Sequence, residues 1–145
     1  MRILAIFDVA DIRSVLETLR KNRHVVTLAS TGGEALKLLQ DQPFDLVLCQ
    51  ASFEADDCNA FELLKRIRLT SDVPFICCRA EHTMLDTKLD NIFIVTLPLL
   101  GGQGFIDNET FHSKKFLPTI EKCMANAVGS KCTVAPLYGD KTSKS

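Results

Sequence analysis

Short apolar runs alternate with segments of helical periodicity along this chain, and that alternation limits the possible folds more than any other feature. The runs are Arg2 to Phe7, Val25 to Ala29, Asp45 to Cys49, Pro74 to Cys78 and Ile92 to Val95, each short for a helix and apolar enough for a buried strand. Between them, Ile12, Val15, Leu16 and Leu19 recur at helical spacing after Asp11, a predicted N-cap. Thr31 and Glu34 have capping-box spacing before Ala35, Leu38 and Leu39, and Pro43 closes that helix. Phe61, Leu64 and Ile67 mark a third helix, capped by Asn59; His82 to Asp90 has room for only a short one. Leu117, Ile120, Met124 and Ala127 mark a last helix over 116–127, with Pro118 in its first turn. Alternation at this spacing predicts βαβ units: an α/β, doubly wound, five-stranded parallel sheet with helices on both faces. Ligands of such sheets sit beyond the carboxyl ends of the strands, which places Phe7, Asp8, Gln50, Arg79 and Leu97 at the candidate site.

Length and charge narrow the function. The 145 residues suit one domain, predicted over 1–127, with a polar C-terminal tail over 128–145. A formal net charge of −1 lacks the basic excess of a general nucleic-acid binder, so no nucleic-acid partner is expected. No apolar run approaches the roughly 18 residues of a membrane helix. The run from Met1 meets Asp8 before a signal-peptide core forms, so a soluble, cytoplasmic protein with no membrane partner is expected. None of the six cysteines has C-x-x-C spacing, and they read as reduced thiols without metal or other cofactor. Gly101-Gly102-Gln103-Gly104-Phe105 is not followed directly by a helix and lysine, as a phosphate loop would be.

Several fragments, in order, resemble the receiver domain of response regulators. Arg2-Ile3-Leu4…Asp8…Asp11-Ile12-Arg13 is similar to the family's first strand and helix. Thr31-Gly32-Gly33-Glu34-Ala35-Leu36 resembles its second helix start. Pro43-Phe44-Asp45-Leu46-Val47-Leu48 resembles the strand that leads to the phosphoacceptor. Phe61-Glu62-Leu63-Leu64-Lys65-Arg66-Ile67-Arg68 and Val73-Pro74-Phe75-Ile76 resemble the third helix and fourth strand. The resemblance implies a flavodoxin-like (CheY-like) sheet of order 2-1-3-4-5 and a role in two-component or phosphorelay signalling.

Matching the family's chemistry residue by residue gives a different set. Gln50 stands at the acceptor position, Phe7-Asp8 at the acid pair that holds Mg²⁺, Arg79 at the hydroxyl position, and Leu97, before Pro98, at the lysine. An amide does not act as the nucleophile that forms an acyl phosphate. A single carboxylate beside an apolar ring is a poor Mg²⁺ site. The resemblance with these departures describes a degenerate pseudo-receiver: no enzyme, but a phosphorylation-independent binding module. Its partner would be a signalling protein or a second copy, through the face of strands 4 and 5 and the last helix. Leu99, Leu100, Phe105 and Ile106, in an unusually long connection from Leu97 to Phe116, are its candidate anchors. Arg79 reads either as an internal cation paired with Asp8 in place of Mg²⁺ or as a solvated strand-end arginine. The alternatives are a conventional phospho-receiver using Asp56 or Asp57, and a thiol or metal site built from Cys58 and His82.

Overall fold

In a computed structural model of the protein, residues 1–7, 13–51, 60–79 and 86–129 are described, apart from the side chains of 14, 86–90, 108 and 126–129. The runs with an apolar residue at almost every position become the middle of the sheet: β1 (Arg2–Ile6), β3 (Leu46–Gln50) and β4 (Phe75–Cys78). Every residue of β3 and β4 is buried, as expected of parallel strands covered on both faces. β2 (Val25–Ala29) and β5 (Gly104–Ile106) form the edges, giving the parallel order β2-β1-β3-β4-β5 predicted for this chain.

Strand alternation divides the core into two layers. Leu4, Ile6, Val47, Cys49, Phe75 and Cys77 pack on the side of α2 (Gly32–Asp41), α3 (Ala60–Arg68) and α4 (Asp86–Leu99). Ile3, Ala5, Leu46, Leu48, Ile76 and Cys78 pack on the side of α1 (Arg13–Lys21), α5 (Asn108–Phe111) and α6 (Phe116–Gly129). The predicted cap of α2 forms: the Glu34 N–H donates to Thr31 Oγ1 at 3.1 Å, and the Glu34 carboxylate accepts from the Ser30 N–H at 2.8 Å. Helix α6 runs two residues past its expected end, through 128 and 129, the first two positions of the tail predicted over 128–145; Asp11, Asn59 and residues 130–145 lie outside the described residues.

The fifth strand is not where the sequence reading put it. Ile92 to Val95 lies inside α4, which runs fourteen residues instead of ending near Asp90, and β5 is Gly104–Ile106. A short apolar run rich in β-branched residues is ambiguous between strand and packed helix. Phe93, Leu97 and Leu100 decide it, since their helical spacing presses one face onto the α2/α3 core. The connection read as Leu97 to Phe116 therefore contains a strand and a short helix. At the start of that strand Gly104 packs so close to Cys123 of α6 that a Cβ there would lie 2.8 Å from Cys123 Sγ.

α1 and α4 end in the same way. In α1 the N–H groups of Arg23 and His24 donate to Arg20 O (3.0 Å) and Leu19 O (3.1 Å); in α4 those of Gly101 and Gly102 donate to Pro98 O (3.1 Å) and Leu97 O (2.7 Å). This pattern puts the residue after the C-cap, the second beyond each helix, in the left-handed region, and φ is 70° at Arg23 and 90° at Gly101. Arg68, at the end of α3, holds the second turn: its Nε and Nη2 donate to Gly101 O (3.2 and 2.8 Å) and Nη1 to Ser71 O (3.1 Å). Its Nη2 also reaches Gln103 Oε1 at 3.2 Å, and that oxygen accepts from the Phe75 N–H at 2.6 Å.

The two turns should respond oppositely to mutation. Arg23→Gly removes the left-handed penalty and should raise stability by about 0.5–1 kcal/mol, after the entropy that glycine adds to the unfolded chain. Gly101→Ala introduces that penalty and sets a Cβ 3.0 Å from Arg68 Nε, and should lower stability by roughly 1–2 kcal/mol. Urea unfolding of both variants beside the parent chain measures the two signs.

Candidate functional site

The carboxyl edge of the sheet collects Phe7, Gln50, Arg79 and Asp107, the residues just at or beyond the ends of β1, β3, β4 and β5. The ladder extends one step past the central strands: the Ala51 N–H donates to Cys78 O at 2.7 Å and the Arg79 N–H to Ile106 O at 2.9 Å. Gln50 is thereby fixed at the end of a fully buried strand, 1% exposed. Asp8, with its expected pairing to Arg79, and Asp56, Asp57, Cys58 and His82 lie outside the described residues.

Arg79 is 5% exposed, which overturns its reading as a solvated strand-end arginine. Alternation places it on the face of Cys77, toward α3 and α4, whereas Phe7 belongs to the α1/α6 side. Its charge is felt there. Burial pushes the Cys77 thiol far above its ordinary range, and the nearby Arg79 guanidinium pulls it partly back. Burial likewise raises Cys78, reinforced by Cys77 and Cys123. Thiols held in this state are not nucleophiles at neutral pH.

Leu97 is not a site residue. It is buried in the core on α4, and the displaced strand moves the corresponding position to the end of β5. The residues there are Asp107, Asn108 and Glu109, without a lysine. Asp107 caps α5: its Oδ1 accepts from the Thr110 N–H at 2.8 Å and its carbonyl from the Phe111 N–H at 2.9 Å.

That cap aims Phe111 at the candidate site, a residue the sequence reading missed. The Phe111 ring stacks on Phe7 with centroids 5.7 Å apart and meets Phe116 edge-on at 5.0 Å. The end of β1, where the resemblance calls for an acid, is thus closed by aromatic packing on the α1/α6 side. The available signal was an isolated phenylalanine in the polar stretch from Asp107 to Lys115; no periodicity tied it to Phe7.

The predicted anchors separate. Leu99 is 77% exposed at the end of α4. Leu100 and Phe105 are half-buried against the α2/α3 core, with Phe105 stacked on Phe93 at 5.5 Å. Ile106 is a buried core residue and is removed from the anchor set, because β5 carries it into the α1/α6 layer. Ile92 and Val95 join Leu99 instead, an exposed apolar stripe one α-helical face wide. Among the described residues no helix is long and apolar enough to cross a membrane.

Phe111→Ala should cost roughly 3–5 kcal/mol, the range for a fully buried phenylalanine. A Phe7→Leu/Phe111→Leu double-mutant cycle in chemical unfolding should show a coupling of about 0.5–1.5 kcal/mol. No coupling would mean that the two rings do not close the site together.

No family model matches the chain. Over 85 residues, 58% of this chain, it is 35% identical to the transcriptional regulatory protein AfsQ1 of Streptomyces coelicolor, of whose length it spans 37%. Solved structures share the architecture. NtrX from Brucella abortus superimposes with a TM-score of 0.72 at 19% identity, over 90% of this chain and 28% of that one. A two-component response regulator from Clostridium difficile gives 0.69 at 18% identity, over 90% and 99%. The chemotaxis protein CheY4 of Vibrio cholerae gives 0.64 at 24% identity, over 84% and 97%. The sequence likeness to AfsQ1, joined to the five-stranded fold, supports homology with the receiver domains of response regulators.

Proposed function

We propose that this chain is a pseudo-receiver that acts in two-component signalling by protein contact, without accepting a phosphoryl group. The observation that carries the reading is the end of β3: a buried amide, Gln50, at the acceptor position. An amide lacks the nucleophilic oxygen from which an acyl phosphate forms. Two further features agree with it. The Phe7–Phe111 stack sets an aromatic ring where Mg²⁺ would need a carboxylate, and β5 is followed by Asp107 instead of a lysine. A binding module of this kind has no catalytic residues and needs no metal.

The partner surface in this proposal is the β5 side of the molecule, where α4 exposes Ile92, Val95 and Leu99. An apolar stripe of this kind fits a signalling protein that offers a complementary apolar face. Regulation then resides in the amount or availability of the partner instead of in the chemistry of Gln50.

Incubation with acetyl phosphate and Mg²⁺ followed by intact-mass measurement should show no phosphoryl adduct. Beryllofluoride should leave the backbone NMR spectrum around Gln50 and Arg79 unchanged. An adduct mapped to Asp56 or Asp57 would overturn the proposal in favour of a conventional receiver with a displaced acceptor.

A further inference from the structure

The two edges of the sheet are not alike. β5 has three residues and lies between α4 and α6. β2 has five, Val25-Val26-Thr27-Leu28-Ala29, with no charge and no proline among them. Edge strands are normally blunted by such residues or by a bulge, because an open row of N–H and C=O groups recruits another strand. β2 also exposes apolar side chains on both faces, Val25 at 60% and Leu28 at 43%.

Its hydrogen bonding is specific about what it can take. The Val25 N–H donates to Met1 O at 2.9 Å and the Phe7 N–H to Ala29 O at 3.2 Å, so Val25, Thr27 and Ala29 turn their backbone groups to β1. Val26 and Leu28 turn theirs outward. The next N–H groups of that outward row are already engaged: His24 donates to Leu19 O at 3.1 Å, and Ser30 to the Glu34 carboxylate at 2.8 Å. The open row is thus fenced at both ends.

We infer that β2 is a self-association edge, on which a second copy of this chain pairs its own β2 antiparallel about a two-fold axis centred on Thr27. This inference rests on the sheet and not on the state of the acceptor position. Only this register sets Val26 opposite Leu28 of the other copy, and Leu28 opposite its Val26, so that all the outward groups pair, in about four hydrogen bonds. Moving the axis by one residue, to Val26 or to Leu28, brings in the occupied N–H of His24 or of Ser30 and leaves an acceptor unpaired, and sliding one copy by a single residue sets outward groups opposite inward ones. In the fitting register the cross-strand neighbours are Val26 with Leu28 on one face and, on the other, Val25 with Ala29 on either side of a central Thr27–Thr27 pair. Charge agrees. The amino end of β2 is flanked by exposed Arg20, Lys21 and Arg23, and the carboxyl end by exposed Glu34, so antiparallel pairing brings unlike ends together. The product is a continuous ten-stranded sheet with α4 of each copy left free on its outer flanks.

Sedimentation of the full chain over a range of concentrations tests the inference, with amide exchange read on the same samples. A reversible dimer is expected, with protection at the Val26 and Leu28 amides that rises with concentration. Leu28→Lys, at an exposed position, should weaken the dimer by more than about ten-fold while leaving the circular dichroism spectrum unchanged. Under mild oxidation Thr27→Cys should cross-link two copies, because Thr27 faces its own symmetry mate at a Cα separation of about 4.5 Å. Val25→Cys, though more exposed, should not exceed the parent chain's background. A chain monomeric at all concentrations would overturn the inference. So would a dimer indifferent to Leu28→Lys, or one that cross-links through Val25→Cys and not Thr27→Cys; either would place the contact elsewhere, as on the α4 stripe.

Discussion

The parallel ladder of β1, β3 and β4 is the constraint on which the rest of the molecule depends. Parallel strands have all their carboxyl ends on one edge and must be covered on both faces, because their backbone polar groups are paired in a plane that water cannot reach. Burial of every residue of β3 and β4 satisfies that demand, and it also fixes what can stand at the edge. Gln50 and Arg79 are held by the same ladder bonds that hold the core, so neither is a surface residue free to adapt.

That coupling separates the architecture of the site from the residues that fill it. In a sheet of this kind the positions after β1, β3, β4 and β5 converge whatever residues fill them. An aromatic ring at such a position is held by packing, where a charged group would be held by counter-charge. Phe7 and Phe111 meet at the end of β1 in a contact that needs neither metal nor counter-charge. Asp107 caps the short helix that delivers Phe111, so a carboxylate stands near the edge but accepts from the Thr110 backbone N–H.

The sheet was legible because its signals are local. Thr31 and Glu34 announce a helix start by their spacing, and the runs at Ile3, Leu46 and Phe75 have strand length and turn-forming neighbours. The handedness of βαβ units then gave helices on both faces, and the family resemblance gave the order of the strands. Ile92 to Val95 failed because identity cannot separate a buried strand from one flank of an amphipathic helix; the deciding residues, Leu97 and Leu100, lie outside the run. That error displaced the last site position onto Leu97 and made Ile106 look like a surface anchor. Gln50 and Phe7 stand at the strand ends where they were expected because β1 and β3 precede the ambiguity. Phe111 was beyond reach of any local pattern, since it acts through a residue more than a hundred positions away.

The contact between Gly104 and Cys123 has a consequence for how this sequence can diverge. Strand β5 and helix α6 share one small volume there, already filled by the sulfur. Any side chain gained at position 104 demands a matching loss at 123, or a shift of α6 that would reach Ile120 and Phe116 and so the aromatic group at the far edge. The two positions are therefore bound to exchange volume as a pair, and drift at this corner is restricted by geometry that no phosphoryl chemistry imposes.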